Sequence, residues 1–500
     1  MQIKFSYRMM ILAGFTAIAG QMGRSAAIYA RASGPEQAST RVVNVAATLT
    51  NRPDRRAIPR SFLGFSIEYG SIPQFFSRPA TLRAITRLTG HLTKDNGPPL
   101  FRIGGNSEDS TVWRHLTPES RRRGNRIAIN PDTARYLHDL VKATGSQLIL
   151  GLNLGRGSAL MAAPWIKAAQ RIIGAPHIMA FEIGNEPDLY NRHGVRPRSY
   201  TLRDYFRQVQ AFSRQVLPVL SRPKMLAGPA FTGPWRRFTP QYIAQFGTHL
   251  AVVTMHEYPL GAPVRNPRSP KFGSIANLLK PSSVAAFASL IRTTVQAGHK
   301  RHIPVRFAEI NSAYMGGKRG VSNTFAQSLW SLDLLFTLAA IHCDGVNFHT
   351  GPVYGAFWPH RGGVHVLPLY YGMWVFAHAA RHRAHLVRVR YRTPMNLKIW
   401  ATQSTGGRLH IVLINKSLHR SAAVVLALPP TIGTAATAGI LRLSAASAGA
   451  MERITFGGRT FAGTLDGRPS GAPQAIPVHI LHGQIRVLMP PANAALINIH

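Results

Sequence analysis

From about residue 60, short apolar runs rich in β-branched and aromatic residues alternate with segments of helical period. Eight runs have this character: 62–68, 100–106, 147–154, 179–186, 224–230, 250–258, 305–309 and 345–349. Amphipathic or wholly apolar helical segments separate them at 80–92, 131–144, 158–173, 202–220, 239–247, 282–298 and 323–341, and 367–380 follows the last run. Eight such repeats over about 320 residues predict a closed (β/α)8 barrel. The alternative, a doubly wound open sheet, is expected to carry a Gly-rich phosphate turn after the first run, and none is present there.

After about residue 384 the helical period disappears. Short alternating runs at 387–391, 397–402, 409–415, 422–427, 439–443 and 484–489, broken by Gly, Pro and Ser, predict an all-β sandwich. Segment 41–49 also alternates and precedes the barrel, which predicts an extra strand in that sandwich. The expected organisation is thus an α/β chain with a (β/α)8 TIM barrel over 57–383, a C-terminal β-sandwich over 384–500, and an N-terminal strand within 41–56 that joins the sandwich. The Ala/Gly/Ser stretch 444–450 reads as a flexible loop.

The first 32 residues have the layout of a secretory signal peptide. Lys4 and Arg8 precede the apolar run 9–20, and small residues including Ala30 and Ala32 close the segment. The apolar run is shorter than the roughly 20 residues a spanning helix needs. An exported bacterial protein is expected, periplasmic or secreted, with no membrane association after cleavage. Of the 500 residues 45% are hydrophobic, ample for a large core, and Cys343 is the single cysteine. That excludes a disulfide framework and any Cys-based zinc or iron–sulfur cluster. The 59 Lys+Arg against 19 Asp+Glu give a net charge of +40. Such a charge suits a polyanion, an anionic surface or acidic surroundings. The arginines are scattered and the densest runs, 121–126 and 381–383, are short. This favours a diffuse basic surface over a nucleic-acid arm.

Barrel chemistry gathers at the C-terminal ends of the strands. The fourth run ends in Phe181-Glu182-Ile183-Gly184-Asn185-Glu186-Pro187, the seventh in Arg306-Phe307-Ala308-Glu309-Ile310-Asn311-Ser312. Each delivers a carboxylate to the mouth, a notable use of a scarce residue type. Two carboxyl groups flanking a bond are what glycoside hydrolysis requires, one protonated to donate to the leaving oxygen and one ionised to attack or to activate water. One of a close pair can keep its proton because the ionised neighbour disfavours a second charge. By alternation Glu182 shares a face with Glu186 but lies deeper, as a structural acid. The sixth run ends Thr254-Met255-His256-Glu257-Tyr258-Pro259, which is no zincin motif because position 260 is Leu. His256 reads as a packed barrel histidine or a catalyst. Neither metal nor cofactor is expected.

The Gly184–Pro187 and Glu309 pairing resembles the large clan of retaining glycosidases. The segment 308–317 followed by Ser322-Asn323-Thr324-Phe325-Ala326 resembles, more narrowly, glycoside hydrolase family 79, the β-glucuronidases and heparanases. The resemblance extends to Gly64–Glu68, Arg102–Ser107 and the β-rich tail. It implies Glu309 as nucleophile, Glu186 as acid/base, Asn185 on the sugar 2-hydroxyl, and Tyr258 orienting the nucleophile. It further implies that Tyr314, Gly316 and Gly317, with Gly351 and Tyr354, cradle the sugar carboxylate. Glu68 and Asn106 would touch hydroxyls, while Arg102 and His256 support the site. The implied activity is retaining, exo-acting β-glucuronidase action on glucuronic-acid glycans. The alternatives are heparanase-like endo action, a neutral-sugar glycosidase of the clan, and a non-catalytic cationic polysaccharide-binding protein.

Overall fold

The computed structural model describes residues 42–93, 95–432 and 436–499. The signal-peptide segment 1–32 lies outside them. Strand β1 (Val42–Ala57) precedes eight parallel strands: β2 (Leu63–Glu68), β3 (Leu100–Gly104), β4 (Leu148–Leu152), β5 (Ile178–Ile183), β6 (Leu226–Phe231), β7 (Leu250–Glu257), β8 (Val305–Ile310) and β9 (Gly345–His349). These close into a barrel in sequence order, with β9 pairing back onto β2 through Val346↔Leu63 to His349↔Ser66. The longer helices between them are α1 (Pro79–Thr93), α2 (Pro131–Thr144), α3 (Ala159–Ala169), α4 (Leu202–Val216), α5 (Thr239–Phe246), α6 (Ser282–His299) and α7 (Phe325–Ala340), with α8 (Pro368–Ala379) after the last strand.

Local sequence explains where the helices begin and end. Asn130 and Thr133 form a reciprocal capping box at the start of α2, with Pro131 at its first position, and Gly145 closes the helix in the left-handed conformation at φ 69°. Thr201 and Asp204 do the same for α4. Helices α7 and α8 lack a polar face because both sides are covered. Phe336 packs against Phe376 of α8 (4.9 Å between ring centroids) and stacks on Trp400 of the β domain (5.7 Å).

The C-terminal strands are β10 (His385–Tyr391), β11 (Leu397–Gln403), β12 (Leu409–Asn415), β13 (Ser421–Ala427), β14 (Ala438–Ser444), β15 (Gln484–Met489) and β16 (Asn493–Ile499). With β1 they form a continuous sheet in the order β14-β16-β12-β11-β10-β1-β13-β15, extended at β14 by short strands. β1 pairs antiparallel with β10 and parallel with β13. The sheet folds over itself, so that one apolar cluster takes Val45, Leu413, Val424, Ile440, Val487 and Ile497 from strands across its width. A buried ion pair fastens it to the barrel: Lys416 Nζ lies 2.6 Å from Asp333 Oδ2 of α7, and Trp400 Nε1 donates to Asp333 Oδ1 at 3.2 Å. Strand β16, which lacks clear alternation because most of its residues are buried, was not anticipated and sits between β12 and β14. Stretch 444–450 is no free loop, since the carbonyls of Ala450 and Ala448 accept from the N–H groups of Phe325 and Ala326 and so cap α7. No helix among the described residues is long and apolar enough to cross a membrane.

Candidate active site

The C-terminal end of β5 turns sharply. Gly184 sits at φ 77°, where a Cβ would meet Tyr190 Oη at 2.6 Å, and Glu186 itself is left-handed at φ 51°. Strand alternation therefore stops at Ile183 and does not set the direction of Glu186, a correction to the shared-face reading. A left-handed non-glycine residue is strained and persists only where its surroundings hold it. Two buried aspartates do the holding. Asp109 accepts from the N–H of Asn185 (3.1 Å), the N–H of Gly155 (2.7 Å) and Tyr190 Oη (2.7 Å). Asp188 accepts from the N–H groups of Thr232 (3.2 Å) and Gly233 (2.6 Å). Burial pushes both carboxyls up, Asp188 to about 6 with the Glu186 charge adding to the effect.

Glu309 is placed by an irregularity of β8. The register against β7 shifts between Phe307 and Glu309, after which Glu309 lies opposite His256. Such a bulge re-aims a side chain at a barrel rim. Glu309 Oε1 accepts from Tyr258 Oη at 2.7 Å and Oε2 from Arg102 Nη1 at 2.8 Å. Burial alone raises a carboxyl, but His349, His256, Arg102 and the Tyr258 hydrogen bond outweigh it and hold Glu309 at about 2. It is a carboxylate throughout the ordinary pH range. Glu186 Oε1 meets His256 Nδ1 at 3.1 Å.

Arg102, wholly buried on β3, joins these parts. Its guanidinium donates to Glu182 Oε2 (2.7 Å), Glu309 Oε2, Asn185 Oδ1 (2.9 Å) and Glu108 Oε2 (3.2 Å). A planar fork of five N–H groups suits this several-sided task, which a lysine could not perform. Burial drives the Glu108 carboxyl well up despite Arg102. Glu182 is the structural acid expected of it.

Glu68, at the end of β2, accepts from the N–H groups of Asn106 (3.1 Å) and Ser107 (2.8 Å) and from Ser107 Oγ, and Asn106 Oδ1 accepts from Asn185 Nδ2 at 3.3 Å. His349 stands between two carboxylates, 3.5 Å from Glu68 and 3.5 Å from Glu309, with Ser66 Oγ 2.9 Å from its ring. Burial lowers its pKa, but Glu309 and Glu68 together outweigh that and raise it. Tyr354 lies beside Tyr258, their rings 6.5 Å apart and nearly parallel. Gly351 and Gly317 both back onto Tyr354, where a Cβ would come within 2.4 Å and 2.8 Å of its side chain. Gly316 is open, and the half-buried Tyr314 ring lies against Gly261, with Lys271 Nζ 6.0 Å from its centroid. Among the described residues, no hydrogen bond or ring contact joins Tyr314 or Gly316 to the carboxylate cluster.

Glu186, His256 and Glu309 bring one ligand-type atom each within 4.8 Å of one another. As a cation site this trio is poorly suited, because Glu309 already carries the Arg102 guanidinium and Glu186 the His256 ring. As two facing carboxylates fixed by different neighbours, it suits acid/base and nucleophilic work at one bond.

Residues 128–336 match the profile of glycosyl hydrolase family 79, N-terminal domain. The β-glucuronidase of Aspergillus niger is 26% identical over 353 residues, covering 64% of this chain and 63% of its own length. That of Neurospora crassa is 25% identical over 369 residues, covering 67% and 64%. Together they support glycoside hydrolase family 79. The chain spans just under two thirds of the length of these relatives. Among solved structures, a 4-O-α-L-rhamnosyl-β-D-glucuronidase from Fusarium oxysporum superposes with a TM-score of 0.74 at 18% identity, covering 90% of this chain and 99% of that one. An arabinofuranosidase from Xanthomonas axonopodis follows at 0.67 and 15%, covering 92% and 100%. At such identities these two speak for the barrel with its β domain, and not for substrate.

Within the barrel, sequence reasoning missed His349, Glu108, Asp109 and Asp188. His349 carried a signal, since it ends the eighth strand as Glu309 nearly ends the seventh. The three acids lie in loops just after strand ends, where a lone carboxylate looks like any exposed residue until burial is known.

Proposed function

We propose that this protein is a retaining β-glucuronidase. The observation that carries the reading is the facing pair Glu186 and Glu309. One oxygen of each lies within 4.8 Å of one oxygen of the other, which suits the roughly 5–5.5 Å between carboxyl groups of retaining glycosidases better than the 6.5–9.5 Å that leaves room for a water in inverting ones. In this reading Glu309 attacks the anomeric carbon while Glu186 passes its proton to the glycosidic oxygen, and the alcohol departs. Glu186, now a carboxylate, takes a proton from water as that water attacks the same carbon. The Glu309 ester breaks, and glucuronate leaves with its β configuration kept. Asn185, its Oδ1 fixed by Arg102, presents its amide to the 2-hydroxyl, a contact that strengthens at the transition state.

Recognition of the sugar carboxylate falls to Tyr354 and the backbone around Gly351 and Gly317, with Tyr314 and Gly316 at the rim. Phenolic O–H and backbone N–H groups can donate to an anion without bringing a counter-charge. Glu68 and Asn106 face the hydroxyls. The named activity of the Aspergillus and Neurospora relatives supports the glucuronide substrate. Exo action and export through residues 1–32 belong to the same proposal. The test is hydrolysis of 4-nitrophenyl β-D-glucuronide beside the β-D-glucoside and β-D-xyloside, with Glu309→Gln as control. Strong preference for the glucuronide, abolished in the variant, is expected; equal or better cleavage of the neutral sugars refutes it.

A further inference from the structure

Beside the catalytic mouth, a groove of about 710 Å³ runs between the loops after β8 and β9 and the β-domain loop 451–463. Its lining adjoins the proposed sugar cradle along the chain. Pro352, on its wall, follows Gly351, and Arg319 lies two residues beyond Gly317, both glycines backing onto Tyr354. Two exposed arginines face it from different domains, Arg319 from the barrel and Arg453 from the β domain, against the single carboxylate Glu452. Trp358, half-buried and set edge-on against Phe75 at 5.4 Å, offers an aromatic surface on the same wall.

The two walls are locked together. Asn323 Nδ2 donates to Met451 Sδ at 3.0 Å, the Ala450 carbonyl caps α7, and Tyr371 Oη accepts from the Phe461 N–H at 2.7 Å while sharing a hydrogen bond with Thr460 Oγ1. A groove preformed across a domain junction is where a ligand site is expected, and its rigidity lowers the entropic cost of binding.

We propose that this groove binds further residues of an acidic oligosaccharide whose terminal glucuronide occupies the catalytic mouth. Arg319 and Arg453 bind sugar carboxylates and Trp358 packs a pyranose face. Guanidinium forks pair bidentately with carboxylate, and an aromatic ring suits the apolar face of a sugar. The proposal rests on the glucuronidase reading of the adjoining mouth.

The test measures binding of a hexasaccharide of alternating glucuronate and N-acetylhexosamine by calorimetry, in the Glu309→Gln background so that nothing is turned over. A neutral β-linked glucose hexasaccharide is the control. Arg319→Ala and Arg453→Ala should each weaken the acidic hexasaccharide about tenfold or more and flatten its salt dependence. Arg319→Lys and Arg453→Lys should recover part of the loss, and Trp358→Ala should weaken binding without changing the salt slope. Both arginines are exposed, so their removal leaves the fold intact. Binding indifferent to both arginines overturns the proposal, as does equal binding of the neutral chain. Hydrolysis of 4-nitrophenyl β-D-glucuronide by the unaltered protein reports separately on the proposed activity. If that fails while Arg-dependent binding persists, the activity falls and the groove stands.

Discussion

Replacing Tyr258 by Phe removes one hydroxyl from the buried site with little change in volume. The lost interaction is a 2.7 Å hydrogen bond to Glu309 Oε1, a bond to a charged acceptor worth about 1.5–3 kcal/mol. At 1.36 kcal/mol per pKa unit this raises the Glu309 pKa by about 1–2 units from about 2. Since a depressed carboxyl titrates from the acid side, activity is present above its pKa and lost as pH falls through it. The acid limb of kcat/KM should therefore move up to about 3–4. On the proposed mechanism the same energy acts on the two chemical steps in opposite senses. Tyr258 stabilises the free carboxylate but gains little from the glucuronyl ester, so its loss favours the intermediate by roughly 10- to 150-fold. If half the charge has developed at the transition state, release of the glucuronyl group slows by roughly 3- to 12-fold. Stopped-flow release of 4-nitrophenol should then show a burst in the variant, with the ester on Glu309 visible by mass spectrometry. A variant that loses rate with no burst, no trapped ester and an unmoved acid limb refutes the nucleophile assignment or the role given to Tyr258.

Three further outcomes follow from named contacts. Glu186→Gln should lower kcat/KM by about 10²- to 10⁴-fold for sugar or alkyl aglycones and much less for a dinitrophenyl glucuronide, whose leaving group needs no proton; azide should restore turnover as a β-glucuronyl azide. Lys416→Met leaves Asp333 buried and unpaired, a loss of about 3–5 kcal/mol. At about 1 kcal/mol per degree for 500 residues this is a Tm drop of about 3–5 °C in calorimetry, most of it recovered by adding Asp333→Asn. The Asp188 carboxyl is raised in the folded chain to about 6, so the native state holds a proton that the unfolded state releases, and stability falls as pH rises from about 4 to 6 by at most about 3 kcal/mol. Asp188→Asn should flatten that slope in urea midpoints taken at pH 4.5 and pH 7.

Each barrel strand and its following helix were legible along the chain, because hydrophobic period is a local property and burial inside a parallel barrel demands it over every strand. The β5 and β8 strand ends also advertised Glu186 and Glu309, since a scarce carboxylate at the point where an apolar run stops has few other uses. β16 escaped because a strand buried on most of its length shows no alternation. Tertiary structure alone decided how the two glutamates are held. Arg102 reaches Glu309 across 207 positions of sequence and Asn185 across 83, His349 meets Glu68 and Glu309 because β9 closes the barrel between β8 and β2, and Asp109 and Asp188 brace a left-handed turn from loops that read as ordinary surface. Sequence period fixes which face of an element is buried. Which polar groups meet there, and with what charge, is fixed only when barrel closure removes water and leaves each buried carboxylate to find its donor.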